Sequence, residues 1–342
     1  MKLIILHYQF RPGGVRRVIE LATPFLCAAL RPRLSGIVLA SGEKIESKWL
    51  EEFRKLVGVP VEELVERSFG YVSEWDEIGT ETMRQVKTGV QRLLEPQREA
   101  LVWLHNPGVG RNLLLTQAVQ NGCRRCGLPL VMHHHDWWFD NRWARWREFG
   151  ETGFKTLDDT AAALFSASEN VHHVAINQSD ATLLQQHLGK KAAWLPNPLG
   201  HEAPPGAAGM QVAKAWLRAT IDHDGPVWIL PCRLLRRKNL AEALLLTRWL
   251  RPEAVLVTTG GVSSTDEEVY AARLARAARE HGWRLHLSVL AGKENTPRVT
   301  ALVAAAEAVV LTSVQEGFGL PYLEAAGSRP APCGAAPAQC RA

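Results

Sequence analysis

Residues 313–324 read Ser-Val-Gln-Glu-Gly-Phe-Gly-Leu-Pro-Tyr-Leu-Glu, and this stretch decides the fold. It follows an apolar run, residues 308–312, that predicts a buried strand, and it leads into a helical pattern in which Pro321 suits the first turn. Gly317 and Gly319 have no Cβ, so a ligand could approach the main chain beside the free amides of a helix start. Such amides are typical of phosphate-binding sites.

Two carboxylates bracket this glycine turn. If the helix starts at Leu320, Glu316 and Glu324 lie about 10 Å apart at a rise of roughly 1.5 Å per residue. A diphosphate at the helix start would then have one carboxylate towards each of its two substituents. Because an ionised carboxylate only accepts hydrogen bonds, a hexose and a ribose are natural partners. The spacing is equally consistent with a strand-to-helix turn that carries two solvated glutamates.

Composition limits the class of protein. The chain has 342 residues, of which 46% are apolar and 22% are charged, which is enough for two α/β domains. The net charge of +5, from 40 basic and 35 acidic residues, is spread along the chain and argues against nucleic acid as a partner. Residues 1–10 hold too short an apolar run for a signal peptide or a spanning helix. We expect a cytoplasmic protein, with peripheral contact at the inner face of the membrane as an open alternative.

Cysteine usage gives no disulfide scaffold. Six cysteines are scattered over the chain, and Cys123-Arg124-Arg125-Cys126 is a CxxC without a second pair downstream. A helix end with two partly buried thiols is favoured there over a zinc or redox site.

Apolar runs that alternate with helical patterns predict an α/β protein. Such alternation is typical of parallel sheets covered on both faces, with ligands at the carboxyl ends of the strands. The predicted strands are 2–7, 35–40, 100–105, 128–133, 171–177, 192–195, 226–231, 254–259, 284–289 and 308–312. Residues 199–209, with Pro204-Pro205-Gly206, predict a linker. We therefore expect two Rossmann-like domains, 1–198 and 210–327, the second incomplete and followed by an irregular tail, 328–342.

Polar side chains collect at the predicted strand ends. His105 ends one strand, and His133-His134-His135 end another. Neighbouring residues of a strand point to opposite faces, so the three consecutive histidines cannot all reach one ion. The sequence predicts no required metal and no cofactor.

Further candidate ligand groups flank other strands. Arg233 and Lys238 belong to a run of basic residues after the strand at 226–231. This run could provide the counter-charge for a diphosphate, and the alternative is a solvated basic loop. Gly13-Gly14 follow the first strand, but the pattern is not GxGxxG and does not support a dinucleotide site. Trp137 and Trp138 open a segment rich in Trp and Arg that suits stacking on sugar rings, a membrane interface or ordinary packing.

The stretch 313–324 resembles the donor-site motif of retaining glycosyltransferases of family 4, which have the GT-B fold. In that family the first glutamate meets the donor sugar, the amides of the glycine turn meet the diphosphate, and the second glutamate holds the ribose. The resemblance implies these roles for Glu316, for Gly317-Phe318-Gly319-Leu320, and for Glu324.

The resemblance extends to other segments. It implies that Arg233 and Lys238 bind the donor phosphates, although the family more often has glycine at the position of Cys232. It also implies that Gly13 and Gly14 form a loop over the diphosphate and the acceptor. His135, with His134 as the register alternative, would contact the donor hexose. The acceptor would then bind near Trp137 and Trp138.

The resemblance implies an enzyme that moves a hexose from a nucleoside diphosphate sugar to a saccharide or lipid-linked acceptor, in a cleft between two facing domains. A nucleotide-sugar epimerase of the same fold and a binding module without turnover remain alternatives. Family members run on for several tens of residues after the second glutamate, whereas residues 328–342 are rich in Pro, Ala and Gly and have no periodicity. This tail suggests a truncation or a change of reading frame.

Overall fold

The protein is described by a computed structural model that covers residues 1–140, 143–200, 205–262, 265–314, 316 and 318–327. The chain divides into two compact units, of which the first is Met1–Pro198 and the second begins at Leu199. Part of the predicted linker, 201–204, and the predicted tail, 328–342, lie outside the described residues.

The first unit is built on a seven-stranded parallel sheet. Its strands are β1 (Lys2–Leu6), β2 (Gly36–Ser41), β3 (Val61–Val65), β4 (Ala100–His105), β5 (Leu130–His134), β6 (Val171–Ala175) and β7 (Ala192–Trp194). Its helices are α1 (Gly14–Leu30), α2 (Ser47–Val57), α3 (Thr80–Leu94), α4 (Leu113–Cys126), α5 (Arg145–Glu151), α6 (Leu157–Leu164) and α7 (Gln178–Leu188). The strand order is β3-β2-β1-β4-β5-β6-β7, so the order reverses between β1 and β4.

Side-chain alternation along β1 explains why the sheet is covered on both faces. Ile4 and Leu6 pack into one buried cluster with α3 and α4, whereas Leu3 and Ile5 pack into a second cluster with α1 and α2. All four side chains are fully buried. A strand that is apolar on both faces is typical of a parallel sheet between two helical layers.

The second unit contains a four-stranded parallel sheet of order β10-β9-β8-β11. Its strands are β8 (Val227–Leu230), β9 (Val255–Thr258), β10 (Leu285–His286) and β11 (Ala308–Val309). Its helices are α8 (Ala207–Ile221), α9 (Leu240–Leu250), α10 (Thr265–Glu280), α11 (Val299–Ala305) and α12 (Leu320–Gly327). The two parallel sheets confirm the predicted α/β class with two Rossmann-like units.

Some predicted elements differ from the structure. β3 was not predicted, because Glu62 and Glu63 interrupt its apolar pattern. It is an edge strand, and Glu62 forms an ion pair with Lys2 of β1 at 2.7 Å. The strand predicted at 284–289 covers only Leu285–His286. Ser288 has φ 58, which is incompatible with a continuing strand.

The first unit's loop packing gives a stability prediction at Gly42, which follows β2. A Cβ at this position would overlap the backbone nitrogen and Cα of Gly70. We expect Gly42→Ala to lower the free energy of unfolding by about 3 kcal/mol or more. The overlapping atoms belong to the backbone, which cannot relieve the overlap by a change of rotamer as a side chain can. Urea denaturation measures this change.

Gly150→Ala is the matched control. Gly150 lies inside α5, and a Cβ there has no heavy atom within 4 Å. Alanine is the better helix former by roughly 0.5–1 kcal/mol, so this variant should be as stable as the parent or more stable. Equal stability of the Gly42 and Gly150 variants would contradict the described packing.

Candidate functional site

β8 and β11 are neighbours in the second sheet, and their carboxyl ends lie side by side. In doubly wound sheets, ligands bind at this kind of position. β8 lies between β9 and β11, and its pairing with β11 places Trp228 opposite Ala308 and Ile229 opposite Val309. Because the chain leaves β8 for β9 on one side and returns to β11 on the other, the loops beyond these ends diverge and leave a crevice. The loop after β8 and the segment after β11 share this position.

Hydrogen bonds hold the segment after β11 against the basic turn after β8. The amide of Val314 donates to the carbonyl oxygen of Arg237 at 2.8 Å. The hydroxyl of Thr312 donates to the carbonyl oxygens of Lys238 at 3.1 Å and Asn239 at 3.0 Å. These two segments, both predicted to bind a diphosphate, are therefore in direct contact.

The contact ends in an ion pair between Lys238 and Glu316. The ammonium Nζ donates to Oε1 of the carboxylate, and Arg237 Nη1 lies 3.6 Å from Oε2. The exposed fraction of the Lys238 side chain is 10%, and that of Glu316 is 18%. Lys238 has three donor hydrogens, of which Glu316 takes one. A partly buried cation held in a fixed position is suited to binding an anionic oxygen.

Cys232 is a buried residue at the start of this basic turn. Burial is the main cause that raises the pKa of its thiol to about 12, so the side chain is protonated and packs as an apolar group. Gly260, in the loop after β9, donates its amide to the carbonyl oxygen of Cys232 at 2.9 Å. A Cβ at Gly260 would lie 3.1 Å from that same oxygen. The loop after β8 therefore contacts both the loop after β9 and the segment after β11.

The other predicted donor-side residues are placed as follows. Arg233 is exposed in the loop after β8, and Phe318 and Gly319 are half-buried. Gly319 has φ 82, a left-handed conformation that favours glycine, directly before α12 begins at Leu320. Glu324 lies in α12, and Gly317 lies outside the described residues.

The carboxyl edge of the first unit gathers histidines. His105 ends β4, His133 and His134 end β5, and His135 follows. His105 Nδ1 lies 3.1 Å from His135 Nε2, and His133 joins these two so that one ligand atom from each ring lies within 4.8 Å of the others. His134 points to the opposite face, where its Nε2 lies 3.0 Å from Nδ1 of His173. The predicted alternation of neighbouring histidines is therefore present. The approach of His105 to His133 and His135 was not predicted, because it depends on β4 lying beside β5.

Burial keeps these histidines neutral. It lowers the pKa of His7, which donates from Nδ1 to the carbonyl oxygen of His105 at 3.1 Å, to about 4. It lowers the pKa of His133 to about 3. The pKa values of His105 and His135 lie well below the usual range, first because of burial and then because of the neighbouring imidazoles. The predicted role of His135 towards a donor hexose stays a prediction.

The predicted acceptor-side aromatics are packed inside the first unit. Trp137 stacks on His134 at 4.6 Å between ring centroids and donates from its indole nitrogen to Asp180 at 2.6 Å. Trp138 packs against Phe149. Their exposed fractions are 6% and 4%, so their ring faces contact protein groups.

Two further observations bear on the acceptor side and on membrane contact. In the segment rich in Trp and Arg, Trp143 is 61% exposed. Gly13 and Gly14, which were predicted to lie over the diphosphate and the acceptor, are exposed at the start of α1. No helix in the described part of the chain combines the length and the apolar character that crossing a bilayer requires.

A cavity of about 180 Å³ lies at the carboxyl ends of β1 and β2 and was not predicted from the sequence. It combines aromatic rings with charged side chains, and its lining residues are Tyr8, Gln9, Gly42, Glu43, Arg67, Gly70, Tyr71, Glu74 and Trp75. Arg11 bridges Glu43 and Glu74 beside it, with N–O distances of 2.6 and 3.0 Å. The residues come from loops far apart in sequence, so no local pattern indicated them.

Fold and family comparisons agree on the class of protein. The two parallel sheets have the GT-B architecture of known glycosyltransferase structures. Residues 218–329 match the family model for glycosyl transferases group 1, and the chain carries this domain. The matched region contains β8 to β11, the basic turn and Glu316.

Individual relatives are distant. The chain is 23% identical over 337 residues to the mannosylglucosyl-3-phosphoglycerate synthase of Petrotoga mobilis; the match covers 94% of this chain but only 62% of that protein. The HepE protein of Anabaena, solved with UDP and glucose, matches with a TM-score of 0.66 at 17% identity over 96% of this chain and 78% of that chain. The catalytic domain of starch synthase IV from Arabidopsis thaliana, bound to ADP and acarbose, matches with a TM-score of 0.62 at 13% identity over 95% of this chain and 80% of that chain.

The neutral histidines predict a pH dependence of stability. The folded-state pKa of His7 is about 4, against an ordinary value of 6.5. The unfolded chain therefore binds more protons between these values, and stability that is present above pH 6.5 is lost as the pH falls towards 4. We expect the free energy of unfolding to fall between pH 6.5 and 5, where carboxylates contribute little. Urea denaturation in buffer containing EDTA measures the slope.

The variant His7→Gln isolates one contribution. Its slope should be smaller than that of the parent by about 1 kcal/mol per pH unit, because one titrating group has been removed. A parent free energy of unfolding that stays constant between pH 6.5 and 5 would contradict the neutral, buried histidines.

Proposed function

We propose that the chain is a retaining glycosyltransferase that binds a nucleoside diphosphate sugar on its second unit and moves the hexose to a saccharide or lipid-linked acceptor. The observation that carries the proposal is the contact between Lys238 and Glu316 at the adjacent ends of β8 and β11. The glycosyl transferases group 1 domain, which includes both residues, supports it. Retention of configuration rests on the resemblance of residues 313–324 to the family 4 motif.

The donor diphosphate would bind at the basic turn. Lys238 offers ammonium hydrogens beyond the one given to Glu316, and Arg237 and the exposed Arg233 add positive charge. The first amides of α12 provide further donors behind Gly319. Glu316, fixed by Lys238, would accept hydrogen bonds from hydroxyl groups of the sugar, and Glu324 from those of the ribose.

The reaction requires these groups to stabilise charge on the leaving diphosphate. The bond between the anomeric carbon and the phosphate oxygen breaks, and a bond from that carbon to the acceptor hydroxyl oxygen forms. The proton of the acceptor hydroxyl passes to the leaving phosphate oxygen. Negative charge grows on the diphosphate as the first bond breaks, so a cation already held in place lowers the barrier without reorganisation.

The acceptor is proposed from one relative and from the family 4 resemblance. The Petrotoga protein is named for a product in which sugars are linked to 3-phosphoglycerate, so a 3-phosphoglycerate-linked saccharide belongs in the acceptor panel. Lipid-linked saccharides belong there too, with a peripheral position at the inner face of the membrane. We place the reaction in the cytoplasm, where nucleotide sugars would be the donors.

The first test removes the charged pair. Lys238→Ala and Glu316→Ala should each lower the rate of sugar transfer by about 100-fold or more, as expected for the loss of a group that stabilises transition-state charge. Transfer from a radiolabelled nucleotide sugar measures the rate, and circular dichroism measures folding.

Two further variants separate chemistry from folding. Arg236→Ala is the matched control: Arg236 belongs to the same basic run but lies over the ring of Tyr270 at 5.7 Å, and transfer should stay within about two-fold of the parent. The double variant Lys238→Met with Glu316→Leu replaces the pair by apolar groups. It should be more stable than either single alanine variant, because neither charge is left without its partner, but it should not regain transfer. Full activity in either single alanine variant would contradict the assignment.

The second test concerns the donor. A ligand that binds only the folded state raises the melting temperature, so the matching nucleoside diphosphate from a panel of UDP, ADP and GDP should do so. The corresponding monophosphate should raise it less, because it lacks the second phosphate that Lys238 would hold. Equal effects of mono- and diphosphates, or conversion of the donor sugar without any acceptor, would contradict the proposal.

A further inference from the structure

Strand pairing brings three histidines of the first unit to one point. His133 and His135 are two residues apart at the end of β5 and therefore share a face, and β4 beside it ends in His105. The exposed fractions of the three side chains are 0%, 1% and 6% for His105, His133 and His135. His105 and His133 belong to paired strands of the sheet, and His135 directly follows β5.

The hydrogen bonding of this cluster is incomplete. Neither ring nitrogen of His133 makes a hydrogen bond of normal geometry among the described residues, although a backbone group of Leu195 lies close enough to raise the pKa of the ring against the effect of burial. Nε2 of His105 has no partner among them. A buried polar atom without a partner costs about 1–3 kcal/mol, so such atoms in proteins usually have one. Stacking on Trp103 accounts for the position of the His133 ring but leaves its nitrogens unsatisfied.

We propose that His105, His133 and His135 bind a divalent transition-metal ion, for which Zn²⁺ is the reference ion. One nitrogen from each ring lies within 4.8 Å of the other two. With metal–nitrogen bonds of about 2.0–2.1 Å, ligand nitrogens in a tetrahedral site lie roughly 3.4 Å apart. The 3.1 Å between His105 Nδ1 and His135 Nε2 is already close to this distance. The ion takes the place of the proton that these two atoms share. The ligand nitrogen of His133, which lies within 4.8 Å of both, has to move closer by no more than about 1.4 Å to complete the set.

The chemistry of the ligand set favours a borderline metal ion. Imidazole nitrogen is a common ligand of zinc, copper, nickel and iron, whereas magnesium and calcium prefer oxygen. Three neutral imidazoles leave the charge of the ion uncompensated and one tetrahedral position open for water or an anionic oxygen. The three histidines belong to the first unit, whereas Lys238 and Glu316 belong to the second, and the proposal does not depend on the transferase activity.

The first test is metal stoichiometry. The purified full chain is stripped with EDTA, dialysed against Zn²⁺ or Co²⁺ and analysed by mass spectrometry of the metal. The parent should hold about one ion per chain, whereas His105→Gln and His133→Gln should lose it. Two controls should keep it: His172→Gln, which removes an exposed histidine on β6, and Cys126→Ser, which removes one thiol of the CxxC.

A second measurement needs no variant and covers the case in which the glutamine variants do not fold. The X-ray absorption fine structure of the zinc-loaded parent should give about three imidazole nitrogens at roughly 2.0 Å and no sulfur. Sulfur ligands, fewer than two imidazoles, loss of the ion in His172→Gln, or less than a tenth of an equivalent bound by the parent would overturn the proposal.

Discussion

The ion pair between Lys238 and Glu316 is the interaction on which the donor side of the second unit depends. Removing an ammonium and a carboxylate from water costs several kcal/mol per ion unless each finds a partner. Lys238 comes from the turn after β8 and Glu316 from the segment after β11, so the pair can form only when these strands are neighbours. Strand order and charge pairing therefore stabilise each other, and the result is a cation fixed at the carboxyl edge of the sheet.

The carboxyl edges of the two units have different electrostatic characters. In the second unit, cations and a carboxylate are partly buried together, which suits a substrate with an anionic diphosphate and a neutral sugar. In the first unit, buried imidazoles are neutral, and their unsatisfied nitrogens suit a metal ion instead. The same parallel architecture thus presents two kinds of chemistry at the carboxyl ends of its strands.

Much of the fold could be predicted from local pattern. β4 has the predicted bounds, Ala100–His105, because a continuous apolar run identifies it. Strand order could not be predicted, since it depends on contacts between distant residues. For that reason Lys238 and Glu316 were predicted as separate ligand contacts, and their pairing was not predicted.

The same limit applies to the first unit. Strand alternation correctly separated His134 from its two neighbours, but the addition of His105 depends on β4 lying beside β5. For Trp137 and Trp138 the composition left sugar stacking, a membrane interface and ordinary packing open, and both side chains are buried. The functional roles came mainly from the family resemblance rather than from spacing, because the spacing of Glu316 and Glu324 suits a solvated turn equally well.

A crystal structure of the full chain grown with the bound nucleoside diphosphate tests the central claim most directly. The account predicts a phosphate oxygen about 2.7–2.9 Å from Nζ of Lys238, with Glu316 still in contact with the same ammonium. A diphosphate bound elsewhere on the chain, with the Lys238–Glu316 pair unchanged and no ligand beside it, would contradict the account.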